Sequence, residues 1–253
     1  MKGFLEEYGL IIVVVAVILL MLLFGKSGYA KSIQDAILGS ANHIVETGDN
    51  ITKKDKITAS DTIDIEGTKY IVLEERENNQ ALVMTASSIR DETFQYKART
   101  DGQNINTYEN NDIDNYLENK WYNSLSSTMK AAIQTTSIKQ ASYVTGNDTD
   151  SKQETGPNGQ VYNTISRHAF LPSVSEIGKV VDLKNKDKVK AFLNGTNIWT
   201  RDSCQRNNCA MFLVAYSGYL SYYNVDLAQG VRPAFVIKLS KVDYTVAGHV
   251  MYK

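Results

Sequence analysis

Cys204 and Cys209 are the chain's two cysteines, five positions apart in "SCQRNNC". Two thiols so placed admit one local disulfide, a weak metal site or two free sulfurs; two cysteines cannot build a disulfide framework. The three histidines, His43, His168 and His249, are scattered. No HExxH, GxSxG or phosphate-loop pattern occurs, so these marks of metalloprotease, hydrolase and nucleotide chemistry are missing. His168, in "SRHAF", is read as a hydrogen-bonded polar residue rather than a base. The stronger candidate is recognition. The stretch "AYSGYLSYYNVD" (215–226) sets Tyr216, Tyr219, Tyr222 and Tyr223 among Ser, Gly and Asn. Tyr gives large, rigid contact at low entropy cost, and Ser, Gly and Asn adapt to a partner. Alternating tyrosines also fill sheet faces. The preceding run "CAMFLVA" already reads as the buried strand, which leaves the tyrosines to a surface.

The elements that position this stretch follow from periodicity. "TIDIEG", "TKYIVLEE" and "ALVMTAS" cluster β-branched and apolar residues as strands do, with "ENNQ" as a turn. "NDIDNYLENKWYNSLSSTMKAAIQ" is helical: Ile113, Tyr116 and Leu117 share a face, Trp121 and Leu125 follow, and Asp112 is the expected cap. Residues 146–159, "GNDTDSKQETGPNG", form a polar loop. "SVSEIGKVV" is a helix with Ser173 and Glu176 at capping-box spacing. "NIWTRDS", "CAMFLVA", "GYLSYY" and "GVRPAFVIKLS" are strands, with Phe212, Val214, Phe235 and Ile237 in the core. Helices first and a strand-rich end give an α+β body over residues 51–253.

The 253 residues are enough for one large domain or two small ones. A net charge of −1 argues against a nucleic-acid partner. No repeat period points to a solenoid.

Between Glu7 and Lys26 lie 18 uncharged residues, "YGLIIVVVAVILLMLLFG", long enough for a membrane span. A cleaved signal peptide would carry a basic start and a small-residue cleavage site, whereas Glu6 and Glu7 precede this run. Residues 1–25 are therefore expected to anchor the chain. Ile33, Ile37, Ala41 and Ile44 mark an amphipathic stalk helix, with its linker, over 26–50. Lys26 and Lys31 follow the span and favour a cytoplasmic body; the extracellular look of the body overrules them. "GFLEEYGLII" resembles the start of small Flp-class type IV pilins. The resemblance implies processing after Gly3, a mature start at Phe4, and Glu7 as the charge that neutralises a neighbour's new amine in a homopolymer. Glu7 is the fourth residue after Gly3, one short of the family's spacing, and the basic leader is almost absent. A plain membrane anchor is the alternative.

The body, too, resembles a known group. "YIVLE…ALVMTAS", "NTYENNDIDNYLENKWYNSLSSTMKAAI", "FLPSVSEI", "IWTRDS" and the closing "GVRPAFVI" look like a bacterial C-type-lectin-fold domain related to formylglycine-generating enzymes. These motifs run from Ile63 to Leu239. The resemblance implies a compact α+β body closed by antiparallel strands near its two ends. It also makes Trp199, Thr200 and Arg201, and Gly230 through Pro233, structural; Arg232 suits hydrogen bonding to loop carbonyls. Proteins of this fold diversified by retroelements vary just before the closing motif, where 202–226 lie, rich in Asn, Tyr, Ser and Asp. The formylglycine-generating oxidases carry two cysteines at this spacing that bind copper(I), a soft ion suited to thiolates; the rest of their polar signature is missing from "RDSCQRNNCAMF". No calcium-type lectin motif occurs.

The reading is thus an α+β, C-type-lectin-like domain on an N-terminal transmembrane or pilin-like helix. It is displayed outside the cell or on a pilus, and binds an extracellular protein or glycan without cofactor, metal or catalytic residues. The expected ligand-binding face comprises Asp202, Gln205, Arg206, Asn207, Asn208, Tyr216, Tyr219, Tyr222, Tyr223 and Asn224. The alternative is a copper-dependent oxidase using Cys204 and Cys209.

Overall fold

Turn chemistry sets the first sheet. In the computed structural model, which describes residues 57–144, 151–249 and 252–253, β1 (Asp61–Ile65) and β2 (Thr68–Arg76) are joined through Glu66 and Gly67, both at positive φ. β2 returns as β3 (Gln80–Thr85) through Glu77, Asn78 and Asn79, the last two at φ 60° and 57°. Positive φ at both central residues of the first turn makes a tight hairpin whose twist matches the strands, and in the second, three-residue turn Asn tolerates the same region. β4 (Arg90–Thr93) follows, then α1 (Asp112–Tyr116), a π-helical turn (Leu117–Trp121), α2 (Tyr122–Ser124) and α3 (Ser127–Ala132). The cap of α1 is Asn111, whose side chain accepts from the Asp114 amide at 2.8 Å. The expected cap, Asp112, instead accepts from the Tyr96 amide.

Short strands come next: β5 (Ile133–Gln134), β6 (Thr136–Lys139), β7 (Ser142–Val144), β8 (Ser151–Gln153) and β9 (Thr164–Arg167). β8 pairs with β7, so part of the expected polar loop is a strand. α4 (Val174–Ile177) carries the complete capping box of Ser173 and Glu176, and α5 (Lys186–Leu193) is capped by Asn185. The chain ends in β10 (Ile198–Cys204), β11 (Cys209–Val214), β12 (Tyr219–Asn224), β13 (Ala228–Val231), β14 (Ala234–Lys238) and β15 (Thr245–His249).

The fold is α+β, mostly sheet with few helices. One sheet runs β15-β1-β2-β3-β14-β5; a second runs β12-β11-β10-β13-β4, with β7 beside β10 and β8 beside β7; β6 and β9 pair separately. The first sheet is covered on both faces. Val72, Val83, Phe235 and Ile237 pack with Met129 and Ala132 of α3. Leu73, Leu82, Met84 and Val236 point the other way, into a cluster with Phe94, Trp199 and Phe212. Burial on both faces is why these strands read as continuous apolar runs rather than alternating ones. The expected core residues Phe212, Val214, Phe235 and Ile237 are all buried. Arg232 is buried as well, and its Nη1 and Nη2 donate at 3.1 Å to the carbonyls of Phe192 and Leu193 at the end of α5. Burial pulls its pKa down to about 10.

Among the described residues no helix is long and apolar enough to cross a membrane. Leu10–Phe24, the stalk helix and the processing residues Gly3, Phe4 and Glu7 lie outside the described residues.

Candidate functional site: an aromatic edge strand

β10 and β11 are buried along their whole length and make a rigid base. At their turn Cys204 and Cys209 form a disulfide, Cα to Cα 5.6 Å, with both residues buried rather than on the surface. Asn106 holds this turn from beneath: its Nδ2 lies 2.6 Å from the Arg206 carbonyl, 2.9 Å from that of Cys209 and 3.4 Å from that of Cys204. β12 is laid on this base as the outermost strand.

The turn into β12 depends on Gly218. Its φ is +71°, and a Cβ there would sit 2.2 Å from the Lys186 carbonyl oxygen at the start of α5. Tyr216, in the same turn, is 86% exposed; Tyr219 and Tyr223, on the strand, are 47% and 42% exposed.

Pairing with β11 assigns the side chains to faces. Val214 lies opposite Tyr219, Phe212 opposite Ser221 and Ala210 opposite Tyr223, so these share one face. Leu213, Met211 and Cys209 lie opposite Leu220, Tyr222 and Asn224 on the other. The first face carries Lys186 Nζ 4.5 Å from the Tyr219 ring centre, and Tyr223 tilted against Phe212 at 5.4 Å. The second carries Arg206, its guanidinium 4.7 Å from the Tyr222 ring, and Asn208 hydrogen-bonded to Asn224 at 3.4 Å. Cation–π contacts of this kind fix ring orientation and are worth about 0.5–1 kcal/mol at exposed sites.

Two parts of the expected site are corrected. Asp202 is 1% exposed and accepts from the amides of Ala141 (3.0 Å) and Val174 (2.8 Å). It is a structural tie between β10, the approach to β7 and the start of α4, not a ligand contact. Burial raises its carboxyl above the ordinary range, against the pull of Arg201 and the two amides. The tyrosines and asparagines also do not share a single face, because strand alternation divides them. Gln205 is half-buried and donates to the Thr155 carbonyl at 2.8 Å and to the Ser142 hydroxyl. Asn207 is exposed and meets Asn158 at 3.3 Å.

Sequence reasoning passed over one polar constellation. His168 Nδ1 lies 2.7 Å from Glu118 Oε1 and its Nε2 3.0 Å from the Thr135 hydroxyl. Tyr122 stacks on the ring at 4.4 Å. The other Glu118 oxygen accepts the amides of His168 and Ala169. The arrangement locks the π-helical turn onto the segment after β9. With partners on both nitrogens, His168 is the satisfied polar residue the sequence implied. Only the π-turn's placement of Glu118, invisible in the sequence, could have revealed the partner.

The described protein is therefore an α+β domain, mostly sheet, whose second sheet ends in an exposed aromatic strand. Residues 78–239, well over half of the chain, match the model of a domain of unknown function, DUF6273, and the chain belongs to that family. No curated protein and no solved structure matches it.

Proposed function

We propose that this protein is a cell-surface, adhesin-like binder that recognises an extracellular ligand through β12 and the turns at its ends. The observation that carries this reading is the exposure of Tyr219 and Tyr223 on β12, and of Tyr216 in the turn before it, beside two fully buried strands. Rigid aromatic anchors on an ordered base lose little entropy on binding. The recognition set is Arg206, Asn207, Asn208, Tyr216, Tyr219, Tyr222, Tyr223 and Asn224, without the buried Asp202 and without Gln205, whose amide is engaged by Ser142 and Thr155. The disulfide favours an oxidising compartment, which fits display outside the membrane by the apolar run Leu10–Phe24, as a plain anchor or a pilin-like subunit. A C-type-lectin-like architecture fits the antiparallel pairing of β1 and β15 near the two ends of the body. In such an architecture a retroelement could vary the exposed positions within 202–226 while buried ones such as Phe212 and Val214 stay fixed. The oxidase alternative needs Cys204 and Cys209 as two thiolates, whereas their sulfurs are bonded to each other.

The test is a screen of the full chain against glycan and extracellular-protein arrays, repeated with the triple variant Tyr216→Ser, Tyr219→Ser, Tyr223→Ser. A hit that weakens at least tenfold, with unchanged thermal unfolding, supports the reading. Hits that the triple variant retains in full would overturn it.

A further inference from the structure

The division of the tyrosines between two faces of β12 constrains how a ligand can reach them. A ligand lying flat on one face touches Tyr219 and Tyr223 but not Tyr222. A partner approaching in the plane of the sheet, along the edge, has both sets within reach. β12 is such an edge. It ends its sheet, pairing with β11 alone. Among the described residues, no backbone hydrogen bond joins residues 219–223 to any other segment. In an antiparallel pair every second residue turns its N–H and C=O away from its neighbour. About half of this six-residue strand therefore aims donors and acceptors off the sheet, over a length of about 20 Å.

Natural edge strands are usually protected by charge, proline, a bulge or very short length. β12 reads "YLSYYN", with no charge and no proline, and its register with β11 runs unbroken from Tyr219 to Asn224. An edge left open in this way is a template for strand addition, in which main-chain bonds give affinity and alternate side-chain contacts give specificity.

Resting on the reading of β12 as the recognition element, we infer that its ligand is an extended polypeptide segment that adds to the sheet as a further strand and carries a carboxylate for Arg206. The Arg206 guanidinium lies over Tyr222, and none of its N–H groups has a carboxylate partner among the described residues. An Asp or Glu of the added strand supplies one, with the bidentate geometry that Arg favours. A second copy of β12 would bring no acidic residue in its own six positions, which is why the occupant is a different segment. The added residues alternate between contacts with Tyr219 and Tyr223 on one side and with Tyr222 and Arg206 on the other.

The experiment selects binders to the full chain from a displayed library of random linear twelve-residue peptides. It then measures hydrogen exchange at β12 with and without a selected peptide. Expected are peptides with an acidic residue at a fixed position, slowed exchange at alternate amides of 219–224, and at least tenfold weaker binding when alternate peptide amides are N-methylated. Replacing the peptide's acid by its amide, or Arg206→Gln in the protein, should weaken binding by a similar factor. The inference is overturned if no peptide enriches, if N-methylation leaves binding intact, or if β12 amides are protected by dimerisation alone. A glycan hit that needs Tyr219 and Tyr223 but leaves β12 exchange unchanged overturns strand addition while the recognition reading stands. Loss of β12 protection with full retention of binding in the triple tyrosine variant would sink both.

Discussion

Arg201 grips Glu176 with both arms of its guanidinium: Nη1 lies 2.6 Å from Oε2 and Nη2 2.8 Å from Oε1. The same Oε2 accepts the Ser173 amide at 2.8 Å, so the capping box of α4 and the buried pair are one unit. Burial pushes the Glu176 carboxyl up, but the Arg201 charge and the hydrogen bonds outweigh it, and the net shift is below the ordinary value of 4.5. A carboxyl whose folded pKa lies below its unfolded one adds stability above the unfolded value and loses it as pH falls through the folded one. Glu176→Gln should therefore cost about 3 kcal/mol at pH 7, because it leaves Arg201 buried without its counter-charge. In urea unfolding the gap to wild type should shrink as pH drops below about 4. An equal gap at pH 3 and pH 7 would remove the ion pair as its cause.

Asp202 separates structure from recognition. Its two oxygens each accept one amide, from Ala141 and Val174. Asn at this position has one acceptor oxygen and turns an NH2 toward the other donor. Asp202→Asn is expected to cost about 1–3 kcal/mol of stability and to leave ligand affinity of the folded fraction unchanged. An affinity loss without a stability loss would return Asp202 to the binding face.

Much of this arrangement was legible where the signal was local. The Ser173–Glu176 capping box, the buried "CAMFLV" strand and the Asn78–Asn79 turn need only residues a few positions apart. Asp202 failed because its partners lie 61 and 28 positions away, and an Asp in a polar stretch reads as exposed. α5 was passed over because "KDKVKAFL" buries only Val189, Phe192 and Leu193 against four charged residues. β15 carries just an alternating intermediate and exposed pattern, and its pairing with β1 is a long-range fact. The splitting of the tyrosines was available from strand alternation alone, since Tyr222 and Tyr223 are adjacent and must point to opposite faces.

The disulfide closes a short loop, so its entropic contribution is modest, about 2 kcal/mol. Cys204→Ser with Cys209→Ser should lower the unfolding free energy by about that much, yet keep the fold, because Asn106 still holds the turn's carbonyls. Binding through β12 should survive. Reduced wild type titrated with copper(I) is expected to give no one-to-one complex. Stoichiometric copper uptake that vanishes in the double variant would move the protein to the oxidase reading.

The proposed surface display makes a separate prediction. Protease treatment of intact cells should remove residues 51–253, and their survival until lysis would put the body inside. Where the chain is processed as a pilin, its first residue is Phe4; an intact Met1 on assembled material would leave the plain anchor.

Gly218 sets the height of β12. Its amide donates to the Val214 carbonyl at 2.8 Å, which closes the turn, and its positive φ suits glycine. Gly102 has nearly the same φ, +77°, but open space where a Cβ would be. Gly102→Ala therefore isolates the backbone penalty, about 1 kcal/mol. Gly218→Ala adds to that penalty a collision with the Lys186 backbone, which opens α5 as its first residue and cannot swing aside as a side-chain tip would. The turn must lift away from α5, carrying Tyr216 and Tyr219 with it. The expected result is a stability loss of about 2 kcal/mol or more, together with a weakened ligand at temperatures where the variant is still folded. Two alanine variants with equal unfolding free energies would show that the close approach of Gly218 to Lys186 contributes nothing, and that the turn is free to relax.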